Sequence, residues 1–444
     1  MLPATHESQN TEWKESWRDE YIKWLCGFAN AQGGTLLIGV NDEGQVVGIT
    51  NSRQLLEEIP NKVRDLLGIL VDVHSRQEGE RSYLEIVVEA YPYPISYKGQ
   101  YHYRSGSTKQ ELKGAALDKF LLRKQGKHWD GVPVPGVTLA DLAPEALTLF
   151  RQRAARSGRV DAQVLEDSTE ALLDNLHLLE GEYLKRAAVL LFHPRPEKYV
   201  TGAYVKIGYF TTEEDLRYQD EVHGPLLQQI EQTLELLRTK YGKAHIRYEG
   251  ANRIEEYTFP EAALREALLN ALAHKDYSGS TPVQISVHED RIVFWNEGHL
   301  PDSWTVENLR HQHPSKPFNP DVANTLFRAG YIESWGRGTL KMIHECRVRQ
   351  LPAPRYYFET SGMVVEFVRY TEAYLRTKGL RPELIPLVLY VQEHGVLTNS
   401  LVQQLTGLSK PTATRYLTEL EKAGYLQKIG TRGAGTEYHL VGSV

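Results

Sequence analysis

Glu266, Asn270 and His274, in the run EAALREALLNALAHKDY over residues 261–277, are side chains whose types and spacing suit work on an anionic ligand. At about 100° per residue they share one narrow strip of a helix, with Leu264, Leu268 and Leu272 on the opposite side. The strip offers a carboxylate, a carboxamide and an imidazole separated by alanines. A solvated helix face would usually carry several lysines and glutamates there, so the line suits a ligand better than bulk water. The competing reading is a surface helix whose polar face is short of charge.

The residues that follow favour a ligand. Residues 283–287 alternate as a half-buried strand, 288–290 form a turn, and 291–295 form a second strand ending in Asn296-Glu297-Gly298. Gly330, Gly336 and Gly338 precede a helical run over 339–346. Glycines ahead of a helix let backbone N–H groups approach an anion, and the positive end of the helix dipole favours it. Arg337 lies in that loop and Lys341 one turn beyond; they either reach a phosphate or form the solvated basic start of a helix. His311 and His313 in HQHPSKP have metal-like spacing without a carboxylate or cysteine pattern and are set aside.

The segments REALLNALAHKDY, RIVFWNEGHLP and NPDVANTLFRAGYIESWGRGTLKMIHEC together resemble the divergent nucleotide-binding domain of the GHKL superfamily (gyrase, MutL and histidine-kinase type) found in bacterial and archaeal transcriptional regulators. The resemblance implies an α/β sandwich that binds ATP and magnesium. Asn270 would hold the metal on the phosphates, Glu266 would be the base for a hydrolytic water, and His274 would complete the strip. Asn296 and Gly298 would line the adenine pocket, and Gly336, Arg337 and Gly338 would form the phosphate lid. Magnesium takes oxygen ligands and keeps waters, so one carboxamide oxygen beside the phosphates suffices. The superfamily's adenine-reading aspartate is Asn296 here, a departure that bears on adenine preference and hydrolysis.

These elements need a scaffold. A chain of 444 residues with 41% hydrophobic and 24% charged residues is expected to form about three soluble domains, α+β in class. Cys26 and Cys346 are too few for a disulfide framework or zinc cluster, and the chain reads as cytoplasmic. The N-terminus lacks a basic region followed by an apolar core, and no run of 18 apolar residues occurs, so no membrane role is expected. A net charge of −6 argues against a uniformly basic nucleic-acid binder and directs attention to local charge.

Residues 19–30 read as a helix, 35–40 and 46–49 as a hairpin about an acidic turn, 55–70 as a helix, and 83–89 and 101–104 as strands. Glu7-Ser8, Glu12-Trp13-Lys14, FANAQGGTLLIGVNDEGQVVG and YHYRSGSTKQEL resemble the Schlafen AlbA-type domain, giving an α+β domain over 1–125. That resemblance implies nucleic-acid binding and, as in Schlafen nucleases, a site built from Glu7, Glu12, Lys14 and Asp42. Three carboxylates could hold divalent metal and position a water, with Lys14 offsetting phosphate charge. They equally read as exposed acids and a turn former. Arg104, Lys98, Lys109 and Lys113 lie near Tyr97, Tyr101 and Tyr103, a mixture that suits phosphates and bases or a protected strand edge.

Residues 126–144, with Pro133, Pro135, Gly131 and Gly136, read as a linker, and Pro144 as the first helical residue of the next unit. Helices are expected over 145–156, 168–176 and 225–241, and strands over 187–192 and 205–210; 145–370 is taken as one nucleotide-binding domain with an N-terminal subdomain. From residue 376 on, eight Lys/Arg stand against five Asp/Glu. A helix over 401–405, the turn Thr406-Gly407-Leu408, Ser409 as N-cap, Pro411, a helix to 423 and a glycine-tipped hairpin resemble a winged helix-turn-helix within 376–444. Lys410, Thr412 and Arg415 would enter the major groove and Arg432 would be the wing contact, or the module would serve dimerisation. The expected function is an ATP-binding, homo-oligomeric regulator that binds DNA or RNA, transcriptional in kind by its resemblance; the alternative is an ATP-controlled, metal-dependent nuclease.

Overall fold

The computed structural model describes residues 7–212, 214–242, 244–249, 252–301, 304–333, 335–430 and 436–442, with the side chains of 115, 244–249 and 252–256 left aside. The chain divides into two compact units, Met1–His128 and Trp129–Val444.

The first unit is built on a four-stranded sheet in the order Thr11–Lys14, Gly34–Ile38, Arg81–Val88, Asp72–Glu78. The first pair is parallel, with Glu12 opposite Leu36 and Lys14 opposite Ile38. One face buries Leu36, Ile38, Leu84 and Ile86 under the helices Ile22–Asn30 and Ser52–Leu67, which contribute Leu25, Phe28, Ile59 and Val63. Strand alternation sends Trp13 to the other face, where it packs with Leu37, Val40, Val46 and Tyr83. The hairpin expected over 35–49 is a correction: residues 46–49 form no strand beyond a single Val40–Val46 bridge. Gly48 adopts φ +84°, and the amides of Val47 and Gly48 both donate to Gly39 O, which turns the chain out of the ladder. The hairpin His102–Ser105 and Thr108–Glu111 rests on the helix Ile22–Asn30, followed by the helix Gly114–Lys124.

The second unit carries a six-stranded sheet in the order Leu216–Val222, Val205–Phe210, Val283–Val287, Arg291–Glu297, Gly362–Val368, Arg355–Glu359. Only the pairing of Val205–Phe210 with Val283–Val287 is parallel. Its core joins Ile207, Ile285, Phe294 and Phe367 to Leu264, Leu268 and Leu272 of the helix Glu261–His274, here called the central helix. Residues 187–192, expected as a strand, belong to the helix Arg186–Phe192. All six are buried, so the apolar run carries no period that separates helix from strand. The helix expected over 225–241 is α-helical over Leu226–Leu236 and closes in a π turn over Leu237–Tyr241.

The stretch 126–144 is packed from Trp129 on. Val137 and Leu142 are buried in the second unit's core, and the Asp130 carboxylate accepts from the amides of Asp321 (2.8 Å) and Val322 (3.0 Å), capping the helix Pro320–Arg328. Asn319, just before that helix, donates its side-chain amide to Ala273 O (3.1 Å) and Lys275 O (2.8 Å) at the end of the central helix. Two helices are thereby joined end to end.

The C-terminal residues have their own core: Leu387, Val388 and Val391 of Ile385–His394, Val402 of Asn399–Thr406, and Ala413, Leu417 and Leu420 of Lys410–Lys422. The strands Leu426–Ile429 and Glu437–Leu440 pair beside them, and Leu397 bridges Tyr438, completing a winged helix-turn-helix.

Candidate functional site

The central helix presents Glu266, Asn270 and His274 on one side, as its period requires. Glu266 is buried, and its Oε1 accepts from Lys341 Nζ at 3.1 Å, with Arg265 3.9 Å away. Lys341 belongs to the helix Gly338–Val348, whose first residue lies directly on the strip. A Cβ on Gly338 would stand 2.9 Å from Glu266 Oε2 and 3.3 Å from Asn270 Nδ2. The strip is thus covered by glycine backbone and one ammonium. Gly336 holds φ +64°, and a Cβ there would fall 2.0 Å from His313 O. The loop needs glycine for its conformation and for its closeness to neighbours. Arg337 is exposed at the N-cap of the same helix.

The strand Arg291–Glu297 brings the next residues. Asn296 is buried and donates from Nδ2 to Glu297 O at 3.2 Å; a Cβ on Gly298 would come within 3.0 Å of His274 O. The two segments therefore meet at the C-terminal end of the central helix. His274 is pushed down to about 4 by loss of solvent and by His313, so it is neutral at pH 7. His313, set aside in the sequence, touches this site: its Nε2 lies 3.2 Å from Thr339 Oγ1, and its ring packs edge-on to Trp304 at 5.0 Å. The signal that marks it is position within the segment that covers the glycine loop at Gly336–Gly338, and the chain between residues 299 and 335 has no period that reveals such a fold-back. An apolar cleft lined by Leu237, Tyr241, Phe259, Leu264, Val287 and Ile292 lies elsewhere on the central helix and includes none of the strip residues.

In the winged helix, Lys410 and Arg415 are exposed and Thr412 is half-buried, its Oγ1 3.1 Å from Ser409 Oγ. Glu419 on the same helix is held by Arg381 Nε at 2.8 Å, which offsets the acid's charge. Arg432 lies outside the described residues. The module is fixed to the sheet: the Arg369 amide donates to Asp290 O (2.8 Å), and Thr371 Oγ1 donates to Asp290 Oδ2 (3.2 Å).

In the first unit, Glu7, Glu12 and Lys14 come together. Glu12 is buried; its Oε1 accepts from Lys14 Nζ and its Oε2 from Arg104 Nη1, each at 2.5 Å, while Glu7 Oε1 stands 3.8 Å from Lys14. Arg104, expected on the surface, is fully buried, because the hairpin lying on the helix Ile22–Asn30 turns His102 and Arg104 inward. Lys109 stays half-buried beside Trp24. Asp42 is exposed, in a turn whose Gly44 lies against the Trp13 ring, on the face away from Glu12. Both Glu12 oxygens are engaged by cations, and among the described residues no group of three His, Cys, Asp or Glu side chains could hold a metal ion. This donor set does not fit a metal-dependent nuclease site.

Three family models match parts of the chain: "Schlafen, AlbA_2" over residues 7–113, "Putative ATP-dependent DNA helicase recG C-terminal" over 280–367, and "IclR helix-turn-helix domain" over 390–430. The chain therefore carries an AlbA-like domain, an ATPase-like domain and a helix-turn-helix, in that order. The second match begins after the central helix. No curated protein matches the chain. Among solved structures, the DIP2311 protein from Corynebacterium diphtheriae is 18% identical, with 98% of this chain and 92% of that one covered and a TM-score of 0.47. Among the described residues no helix is long and apolar enough to cross a membrane.

Proposed function

We propose that this protein is a cytoplasmic, homo-oligomeric transcriptional regulator whose binding to DNA responds to ATP and magnesium. One observation carries the reading. The strand Arg291–Glu297 has Asn296, beside the candidate nucleotide site, near one end, and Asp290, which anchors the start of the winged helix, just before the other. A ligand that shifts this strand changes the support of the DNA-binding module.

When bound, magnesium would offset phosphate charge. Asn270 would supply a carboxamide oxygen to it, Gly336, Arg337 and Gly338 would hold phosphate oxygens, and Asn296 and Gly298 would border the base. The fit is supported by Gly338, whose lack of a side chain lets the start of the helix Gly338–Val348 come close to Glu266 and Asn270. Glu266 is the residue suited to accept a proton from water; it would first have to exchange its bond to Lys341. Lys410, Thr412, Arg415 and Arg432 are assigned to DNA, and the first unit to DNA or RNA.

The test is a calorimetric titration of the whole protein with ATP and magnesium, repeated on Asn270→Ala. Saturable binding that weakens at least tenfold in the variant supports the site; equal binding in both removes Asn270 from it.

A further inference from the structure

The first unit's leading helix and the segment just before it carry three aromatic residues that neither the core nor the assigned sites fully explain. Trp17, Tyr21 and Trp24, spaced by four and three residues, form a continuous ladder. Trp17 and Tyr21 lie 6.4 Å apart at 85°, and Tyr21 and Trp24 lie 5.5 Å apart at 87°. Each packs against the core and remains partly exposed. Lysines gather at the Trp24 end. Lys14 Nζ stands 5.9 Å from the Tyr21 ring centre and 5.6 Å from that of Trp24; Lys109 Nζ stands 5.1 Å from Trp24.

We propose that Trp17, Tyr21 and Trp24, flanked by Lys14, Lys23 and Lys109, form a stacking platform for a single-stranded nucleic acid. The inference rests on the reading that the first unit binds nucleic acid, and specifies the surface and the strand state. Aromatic rings take unstacked bases of any sequence, and cations beside them take the backbone; a duplex keeps its base faces stacked and unavailable to the rings. Lys109 is held below the ordinary lysine range by burial and by Lys23, a penalty on the cation that an arriving phosphate relieves. The acid nearest the ladder's other end, Asp19, is already paired with Lys62 at 2.9 Å and accepts from Trp17 Nε1 at 3.0 Å. Lys14 is already held by Glu12 at 2.5 Å, so the strand's backbone is placed at the Trp24 end beside Lys109.

The experiment measures anisotropy of labelled oligo(dT), oligo(rU) and a DNA duplex with the full chain carrying Lys410→Ala and Arg415→Ala, which weakens the winged helix's hold on DNA. Trp24→Ala and Lys109→Ala are compared in that background, with Trp24→Phe as the conservative control and thermal melting as the check on folding. The expected result is a roughly tenfold loss of single-strand affinity for Trp24→Ala. Trp24→Phe retains most of it, Lys109→Ala reduces both affinity and salt dependence, and duplex binding does not change. The dT and rU arms decide between DNA and RNA. Single-strand binding that persists unaltered in Trp24→Ala and Lys109→Ala overturns the platform but leaves nucleic-acid binding by the first unit standing. Absence of binding to all three probes overturns both.

Discussion

Asp290 and Asn296 bracket one strand: Asp290 accepts from the Arg369 amide and the Thr371 hydroxyl at the root of the winged helix, and Asn296 is buried beside the end of the central helix. The strand between them pairs on both sides, with Gln284–Val287 and with Gly362–Val368. In the proposed coupling, a displacement at Asn296 is carried along this strand to Asp290. The same ladder leads directly into the winged helix, because Gly362–Val368 is followed by Arg369 and Thr371.

The glycines over the strip give the first prediction. Gly338→Ala places a methyl group 2.9 Å from the Glu266 carboxylate, which pushes the start of the helix Gly338–Val348 off the strip. ATP should no longer raise the melting temperature of this variant, while the free protein still folds. Gly336→Ala should be costlier, destabilising the protein by about 1–3 kcal/mol, since it combines a left-handed backbone with a collision at His313 O. Thermal shift with and without ATP and magnesium reads both.

Lys341 is poised to exchange one anion for another. Its ammonium holds the buried Glu266 carboxylate at 3.1 Å, and its removal leaves that carboxylate with Arg265 at 3.9 Å, so the loss should cost about 1–3 kcal/mol of stability. Lys341→Ala should weaken ATP binding by about tenfold, the scale of one charge-assisted hydrogen bond. Glu266→Gln should keep binding and abolish any hydrolysis. Calorimetry and a phosphate-release assay measure the two effects.

Much of this site is legible in the sequence because it lies on regular elements. The helical period aligns Glu266, Asn270 and His274, and glycines mark the loop before the helix Gly338–Val348. His313 is hidden because its contact with Thr339 spans 26 residues of chain without a repeating pattern. Arg104 misleads for a different reason. Arginine in a short polar strand reads as surface, yet the hairpin's packing on a helix turns it to Glu12, and the resulting pair satisfies a buried carboxylate. The helix Arg186–Phe192 defeats the reading by uniform burial, since a run apolar on every side is periodic in nothing.

Asp130 supplies a pH dependence. Burial pushes its carboxyl up to about 7, although two backbone amides oppose the shift. The folded protein therefore holds a proton that the unfolded chain releases near 3.8, and stability falls as pH rises from about 4 to 7. The slope from this group is about 1.4 kcal/mol per pH unit at most. Asp130→Asn still offers an oxygen to Asp321 and Val322. It should flatten this decline in urea unfolding series between pH 4 and 7, and an unchanged slope would show that Asp130 is ionised throughout.

Lys410 and Arg415 bear on the DNA contact. Both are exposed on the helix Lys410–Lys422. Replacing either by alanine should weaken duplex binding and lower the slope of log affinity against log salt by about 0.9 for each phosphate that is no longer neutralised. If Arg415 reads a base instead, its variant should lose sequence preference with little change in slope.

If nucleotide and DNA are coupled through one strand, the affinity of the full chain for its DNA differs with and without saturating ATP and magnesium. The coupling predicts a change of at least fivefold, about 1 kcal/mol, that is lost in Gly338→Ala. Equal affinities in the two conditions, with ATP shown to be bound, would contradict it.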